Sequence, residues 1–493
     1  MLFGTVGQGR RAGKETELIE EKAQAVRREH NGQQRAPTLS VAKPTEALAR
    51  FASQVDIDRL QPLELAAAKR HLLDALGACI AGGDEPLLRR SADLLGQIAG
   101  SGEIPVPGTS LRTNLLSAAY LTSVACHAIE LDDGNREGSI HPGTVVVPAL
   151  LSSGYAFNAN GHDLLGGLIA GFEVAVGLAE VLHPHAARRG FQTTGVAGVI
   201  GAAAGVARLL SLDPLTTEKA MGIAASASAG IFAYLAGGGN IKKLHPAHAA
   251  REGIFAALLA RDQVVDGPLG VAESKCGVFD AFAGLAPWNA SVKDHRSGAL
   301  AITRSYIKPY PCCRHIHPAI DGLLELKTTH DIDPDRVTRI DVGTYDAAMP
   351  HASLGWDSFT VSQLSFPYVM GVALRTGHVN LQSFSESART DELILRDTQK
   401  VHVTPDAECC ASYPKQGPAR VTVTMNDGTV FTAYVAQPLG APEKPITDDA
   451  LFEKFRMASE RQLNRQQADS VIARVWNLDS QSSVRSLVDA LCV

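Results

Sequence analysis

Residues 127–143 read HAIELDDGNREGSIHPG, and the fold follows from what stands on either side of them. Between positions 130 and 141 the chain carries Glu130, Asp132, Asp133, Arg136, Glu137 and His141. The flanks, residues 115–129 and 144–152, are apolar on nearly every side, the pattern of buried helices. A charged loop held between two core helices is a natural place for a site, because rigid flanks fix the geometry of its polar groups. The competing reading is a solvated turn.

Helical signals extend outward from this stretch. Upstream, Leu65, Leu72, Leu73, Leu76 and Ile80 fall on one stripe that ends at Gly82-Gly83. Residues 86–99 predict another helix with Pro86 in its first turn. Residues 103–109, with two prolines and Gly108, predict an irregular connection. Downstream, Asn160-Gly161 marks a turn, and Asp163 is the expected cap of a helix to residue 179. Gly195, Gly198, Gly201 and Gly205 predict close approach of neighbouring helices. They do not form a nucleotide loop, since no strand precedes them. Residues 214–235 predict a continuous helix ended by Gly237-Gly238-Gly239. Lys242, Lys243 and His245 then precede a helix from Pro246, a pattern suited to anion binding at a helix start.

The pattern changes after residue 303. Residues 305–318 read SYIKPYPCCRHIHP; a helix is expected at 319–327 and a strand at 336–345. Residues 420–435 alternate on either side of Asn426-Asp427-Gly428, a hairpin signal. From Thr447 the chain returns to helix. The expected fold is mostly α, with a large all-helical domain from residues 41–302 and 440–493. A smaller α+β domain is inserted at 303–439. Residues 1–40, Gly/Arg-rich and then highly charged, are expected to be a disordered extension.

Composition narrows the function. With 493 residues and 45% hydrophobic content the chain has ample core without disulfides. A net charge of -6 gives no general attraction to nucleic acid or anionic membrane. No run of eighteen uninterrupted apolar residues predicts a membrane span; residues 196–210 come nearest. The eight cysteines follow no disulfide framework, which predicts a reducing, cytoplasmic setting. The acid-rich N-terminal segment is unlike a mitochondrial presequence, the alternative address in a eukaryote.

Cys312, Cys313, His315 and His317 suggest zinc, but adjacent cysteines and alternating histidines do not match the spaced pairs of a structural site. Asp132 and Asp133 lack a second acidic cluster with metal-like spacing. No metal is therefore expected. Lys308, Arg314 and His317 read instead as polar groups at a domain boundary, where ligand clefts form.

The motifs Glu130-Leu131-Asp132-Asp133, His141-Pro142-Gly143, Lys242-Lys243-Leu244-His245-Pro246, Lys308 through His315 and Ser365-Phe366-Pro367-Tyr368 occur in that order. In this the chain resembles the MmgE/PrpD family, which includes 2-methylcitrate dehydratase, cis-aconitate decarboxylase and iminodisuccinate epimerase. The resemblance spans residues 43–490. It implies a helical domain closed by an α+β lid, a homodimer, and a metal-free, cofactor-free lyase or isomerase acting on a small di- or tricarboxylate. It also implies catalytic roles for His141, Lys242 and Tyr368, with Glu130 and Cys313 facing the site. Two positions depart from the pattern. Decarboxylase members carry His where Gln192 stands, and dehydratase members carry a Trp-rich segment that residues 134–139 lack.

Chemistry common to the family passes through a carbanion or enediolate beside a carboxylate. On that basis His141 is the expected acid/base, oriented by Asp132 or Asp133. Lys242 and His245 stabilise the anion; Arg314, His317 and Tyr368 close the cleft; Gln192 holds substrate. A 2-methylcitrate dehydratase-like activity leads, ahead of decarboxylase-like and epimerase-like ones. The non-enzyme alternatives are a carboxylate-binding member without turnover and a zinc-stabilised interaction protein.

Overall fold

A computed structural model describes residues 43–234, 239–286 and 299–492. The extension expected at 1–40 and the glycines at 237–238 lie outside the described residues. Residue 43 onward forms one compact unit. Its fold is mostly helical with a small α+β part.

Two core helices flank the charged loop. Helix α1 (Pro62–Ala81) starts on a proline and a Gln61/Glu64 capping box and buries Leu72, Leu73, Leu76 and Ile80. Helix α2 (Leu115–Ala128) is capped by Asn114, whose side chain accepts from the Ser117 amide at 3.0 Å. Helix α3 (Gly143–Ala156) packs on α2, and both are buried on nearly every side. Helix α4 (Gly161–Leu182) is capped by Asn160 rather than Asp163; the Asn160 oxygen accepts from the Asp163 amide at 2.7 Å. An uncharged amide oxygen one residue before the helix serves the orphan donor directly, which leaves Asp163 to pair with Arg208.

Helix α4 is long and apolar enough to cross a membrane by composition alone. It is instead a core helix, 89% buried, packed on α5 (Gly198–Leu209). The glycines of α5 explain that packing. A Cβ on Gly201 would stand 2.5 Å from the Ala175 Cβ and 2.7 Å from the Gly171 carbonyl. Beyond α6 (Pro214–Ala225) the expected helix stops early, and helix α7 (His245–Arg261) follows a 3-10 turn over Ile241–Leu244.

The second hydrophobic cluster gathers residues from Cys312 to Ala433. Helix α8 (His317–Thr329) lies on a four-stranded sheet of β1 (Val337–Thr344), β2 (Val401–Pro405), β3 (Ala419–Met425) and β4 (Val430–Val435). The strand order is β2-β1-β3-β4, with β1 and β2 parallel and the other pairs antiparallel. Strand β2, with only five residues and two of its last three exposed, has no signal in the sequence reading. Helix α9 (Phe366–Thr376) packs on α8. Helix α10 (Asp448–Ser459), capped by Thr447, returns to the first core and packs on α1.

Candidate active site

The loop after α2 is buried. Glu130, Asp132, Asp133 and Asn135 are each 1–2% exposed, which rules out a solvated turn. It folds back on itself through the Asn135 amide and the Ile140 carbonyl (2.8 Å). It also pairs with residue 306, the Tyr306 amide donating to the Gly134 carbonyl at 2.7 Å. Glu130 leaves α2 with φ +54°, a left-handed conformation that costs a non-glycine residue about 1 kcal/mol or more. Its carbonyl accepts from the Lys308 ammonium at 3.1 Å. Asp133 fixes the far end of the loop: its carboxylate accepts from His71 Nδ1 at 2.8 Å and from the Gly143 amide at 3.0 Å. Any Cβ at 143 would come within 2.6 Å of that carboxylate, so the start of α3 needs glycine.

These anchors orient His141. Its Nδ1 is 2.9 Å from Asp132 Oδ2 and 2.7 Å from the Asp133 carbonyl. The network assigns the proton to Nδ1 and leaves Nε2 on the cavity side without a partner among the described residues. Asp132 Oδ2 also holds His127 Nδ1 at 3.1 Å. Burial raises the cost of the Asp132 charge, but Lys308, His127 and His141 outweigh it and hold the carboxyl well below its usual range. His127, fully buried, is pushed down to about 4, chiefly by desolvation.

The loop forms one wall of a cavity of about 280 Å³. Among the described residues, four cations, Arg136, Lys242, Lys308 and Arg314, reach its lining against one carboxylate, Glu130. Lys242 pairs with Glu130 Oε1, and Lys308 stands 3.4 Å from Oε2 and 3.7 Å from Asp132 Oδ1. Burial opposes ionisation of Glu130, yet the two ammonium groups hold its carboxyl well below normal. Burial likewise opposes charge on Lys308, but Asp132 and Glu130 raise it above its usual value. Both therefore stay ionised at neutral pH.

The opposite wall comes from the second cluster. Arg314 donates to the carbonyls of Leu439 (2.8 Å) and Pro438 (3.2 Å) and lies over the Tyr306 ring at 4.7 Å. Cys313 Sγ is 3.6 Å from His351 Nε2. Burial raises the thiol, but His351 draws it below its ordinary value; the same thiol lifts His351 against its own burial. His315 is held through Nδ1 by the Tyr345 hydroxyl at 2.7 Å, and Tyr345 stacks on Tyr413 at 4.2 Å.

The structure thus brings His141, Lys242, Glu130, Gln192, Cys313 and Arg314 to one cavity. Asp132, Asp133, His245 and His317 stand behind its wall rather than on it. His245 Nδ1 pairs with Gln192 Oε1, and fully buried His317 meets Arg314 at 3.0 Å. Tyr368 departs furthest from expectation. It is fully buried in the second core, and its hydroxyl donates to the Ser383 carbonyl at 2.7 Å. As the third residue of α9, it turns inward with the apolar face of that helix. Nor do the four residues of the zinc motif converge: Cys312 is buried, and His317 faces Arg314 and the Cys312 carbonyl. Cavity residues missed by the sequence reading include Tyr234, Tyr345 and His351. No motif spacing marks them, because they arrive from separate elements.

Known proteins match these segments in sequence. The MmgE/PrpD N-terminal domain matches residues 46–291 and the MmgE/PrpD C-terminal domain residues 310–478. The chain is 27% identical over 476 residues to the cis-aconitate decarboxylase-like protein oryM of Aspergillus oryzae, covering 88% of this chain and 95% of that protein. It is 23% identical over 480 residues to a cis-aconitate decarboxylase of Aspergillus terreus, covering 91% and 95%. To the human cis-aconitate decarboxylase it is 25% identical over 464 residues, covering 88% and 92%. The charged loop, the lysines around Glu130 and the cavity between the two clusters are therefore those of a chain that belongs to the MmgE/PrpD family.

Proposed function

We propose that this protein is a lyase that removes carbon dioxide from a small unsaturated tricarboxylate of the cis-aconitate type. The observation that carries the reading is His141, held at Nδ1 by Asp132 with Nε2 turned to a cavity of four cations. Names of the relatives point the same way, since the three compared above are all cis-aconitate decarboxylases or decarboxylase-like. A cavity near the lower end of ligand-pocket sizes, about 300 Å³, suits a small acid.

In this reading Lys242, Lys308 and Arg314 hold the substrate carboxylates. The bond to one terminal carboxylate breaks and carbon dioxide leaves. The electron pair shifts the double bond by one carbon and places carbanion character beside the other terminal carboxylate. Lysine charges stabilise that anion, and His141, after taking a proton from solvent at Nε2, gives that proton to the carbon. Residues 303–439 act as the lid that brings Arg314 and Cys313 over the substrate, and the functional unit is a homodimer.

A second reading, hydration–dehydration of a 2-methylcitrate-like acid, is supported by Gln192. It stands where decarboxylase members carry histidine, and an amide does not titrate near neutral pH. Epimerisation would use the same enolate.

Proton NMR in deuterated water separates these. The full-length protein is given cis-aconitate, 2-methylcitrate, citrate and iminodisuccinate in turn. Decarboxylation yields a new vinyl pair from cis-aconitate and one deuteron at the carbon served by His141. Elimination from 2-methylcitrate supports the second reading, and deuterium exchange without product supports epimerisation. No change in any of the four acids overturns the proposal.

A further inference from the structure

We infer that Cys313, His315 and His351 form a binding site for a soft divalent cation of the zinc type, on the cavity wall opposite His141. One ligand atom from each of the three lies within 4.8 Å of the other two. The pair Cys313 Sγ and His351 Nε2 is already at 3.6 Å. With zinc–sulfur and zinc–nitrogen bonds of about 2.3 and 2.0–2.1 Å, ligands of a tetrahedral ion stand roughly 3.3–3.8 Å apart. The cluster needs only side-chain adjustments of about an ångström to close on an ion.

The surroundings are those of an oriented site. Metal-bound histidines use one ring nitrogen and are fixed through the other. His351 is fixed through Nδ1 by the Leu364 carbonyl at 3.0 Å, which leaves Nε2 toward Cys313. His315 is fixed through Nδ1 by the Tyr345 hydroxyl at 2.7 Å. Thiolate with two imidazoles is a donor set that suits zinc and cadmium. All three residues line the cavity, so the fourth position faces a space with room for water or a carboxylate. On binding, the Cys313 thiol gives its proton to solvent and its sulfur pair to the metal.

This is not the zinc motif of the local sequence. Cys312 and His317 take no part, and the third ligand comes from residue 351. The ion is no participant in the chemistry proposed above. It occupies the wall next to Arg314 and stops turnover. That consequence rests on the lyase reading; the binding does not.

The test uses metal-stripped full-length protein titrated with cadmium, whose bond to thiolate gives an ultraviolet charge-transfer band, followed by competition with zinc. One equivalent of cadmium should produce the band, and zinc should abolish it. The band should vanish in Cys313→Ser and persist in Cys276→Ser, a change at an exposed cysteine outside the cavity. Tyr345→Phe, which removes only the hydroxyl that orients His315, should weaken cadmium binding about 10- to 100-fold. His351→Gln provides a second ligand deletion if Cys313→Ser does not fold. Absence of the band, its survival in Cys313→Ser, or an undiminished cadmium affinity in His351→Gln overturns the site. A band with no turnover of any acid leaves the metal site standing and sinks the lyase reading alone.

Discussion

Asp132 Oδ2 lies 2.9 Å from Nδ1 of His141 and is itself almost wholly removed from solvent. The contact selects the tautomer with its proton on Nδ1 and stabilises the imidazolium when Nε2 takes up a proton. Asp132→Asn keeps the shape but removes the charge. It should lower kcat by about 10²–10⁴-fold, the range associated with losing a positioned acid/base, and change KM little. Steady-state kinetics on the substrate found by NMR checks this. A fall in kcat of less than tenfold would mean that His141 is oriented sufficiently by the Asp133 carbonyl.

Lys308 is the fully buried centre of the charge cluster, facing Glu130 and Asp132 together. Lys308→Met leaves two buried carboxylates with less compensation, a change that costs about 3–5 kcal/mol for a broken buried pair. Glu130→Gln in the same chain should return part of that loss, because one of the stranded charges is removed. Urea unfolding of the two single variants and the double variant measures the coupling. Strict additivity would show that the charges do not act on one another.

The helices were legible because their signals are local. Leu65 to Ile80 lie on one stripe, Pro86 opens its helix, and Gly201 and Gly205 of α5 lie against Gly171 of α4, a close approach that their spacing predicts. The charged loop was legible because apolar helices on both sides leave no solvated route for it. What the sequence could not show was which polar groups face the cavity. Asp132 and Asp133 are adjacent and identical in type, yet one bonds His141 and the other His71 and Gly143. That choice depends on the left-handed turn at Glu130, and His351 joins Cys313 only through tertiary packing.

Tyr368 provides a direct test of position against motif. Its hydroxyl serves the Ser383 carbonyl inside the second core. Tyr368→Phe should cost about 0.5–1.5 kcal/mol of stability, the usual worth of one such hydrogen bond, while kcat stays within threefold of the parent. Thermal unfolding and kinetics on the same preparation decide between roles. A hundredfold loss of kcat at unchanged stability would place the hydroxyl at the reacting atoms and would require the second core to open during turnover.

Acid should weaken the fold before Glu130 or Asp132 is protonated. His127 is held at about 4 mainly because burial disfavours its imidazolium, although Asp132 pulls the other way. The unfolded chain returns it to an ordinary value of about 6.5. Between those values the unfolded state binds more protons than the folded one, so stability rises with pH across the window and falls as acid is added. By pH 5 this one group removes about 2 kcal/mol. Glu130 and Asp132, both held low, add no slope there: their contribution is complete above the ordinary carboxylate range and is lost only at lower pH. Urea midpoints at pH 7 and pH 5 measure the effect, and His127→Gln should flatten the difference by about that amount. An unchanged difference in the variant would assign the acid slope to other buried histidines.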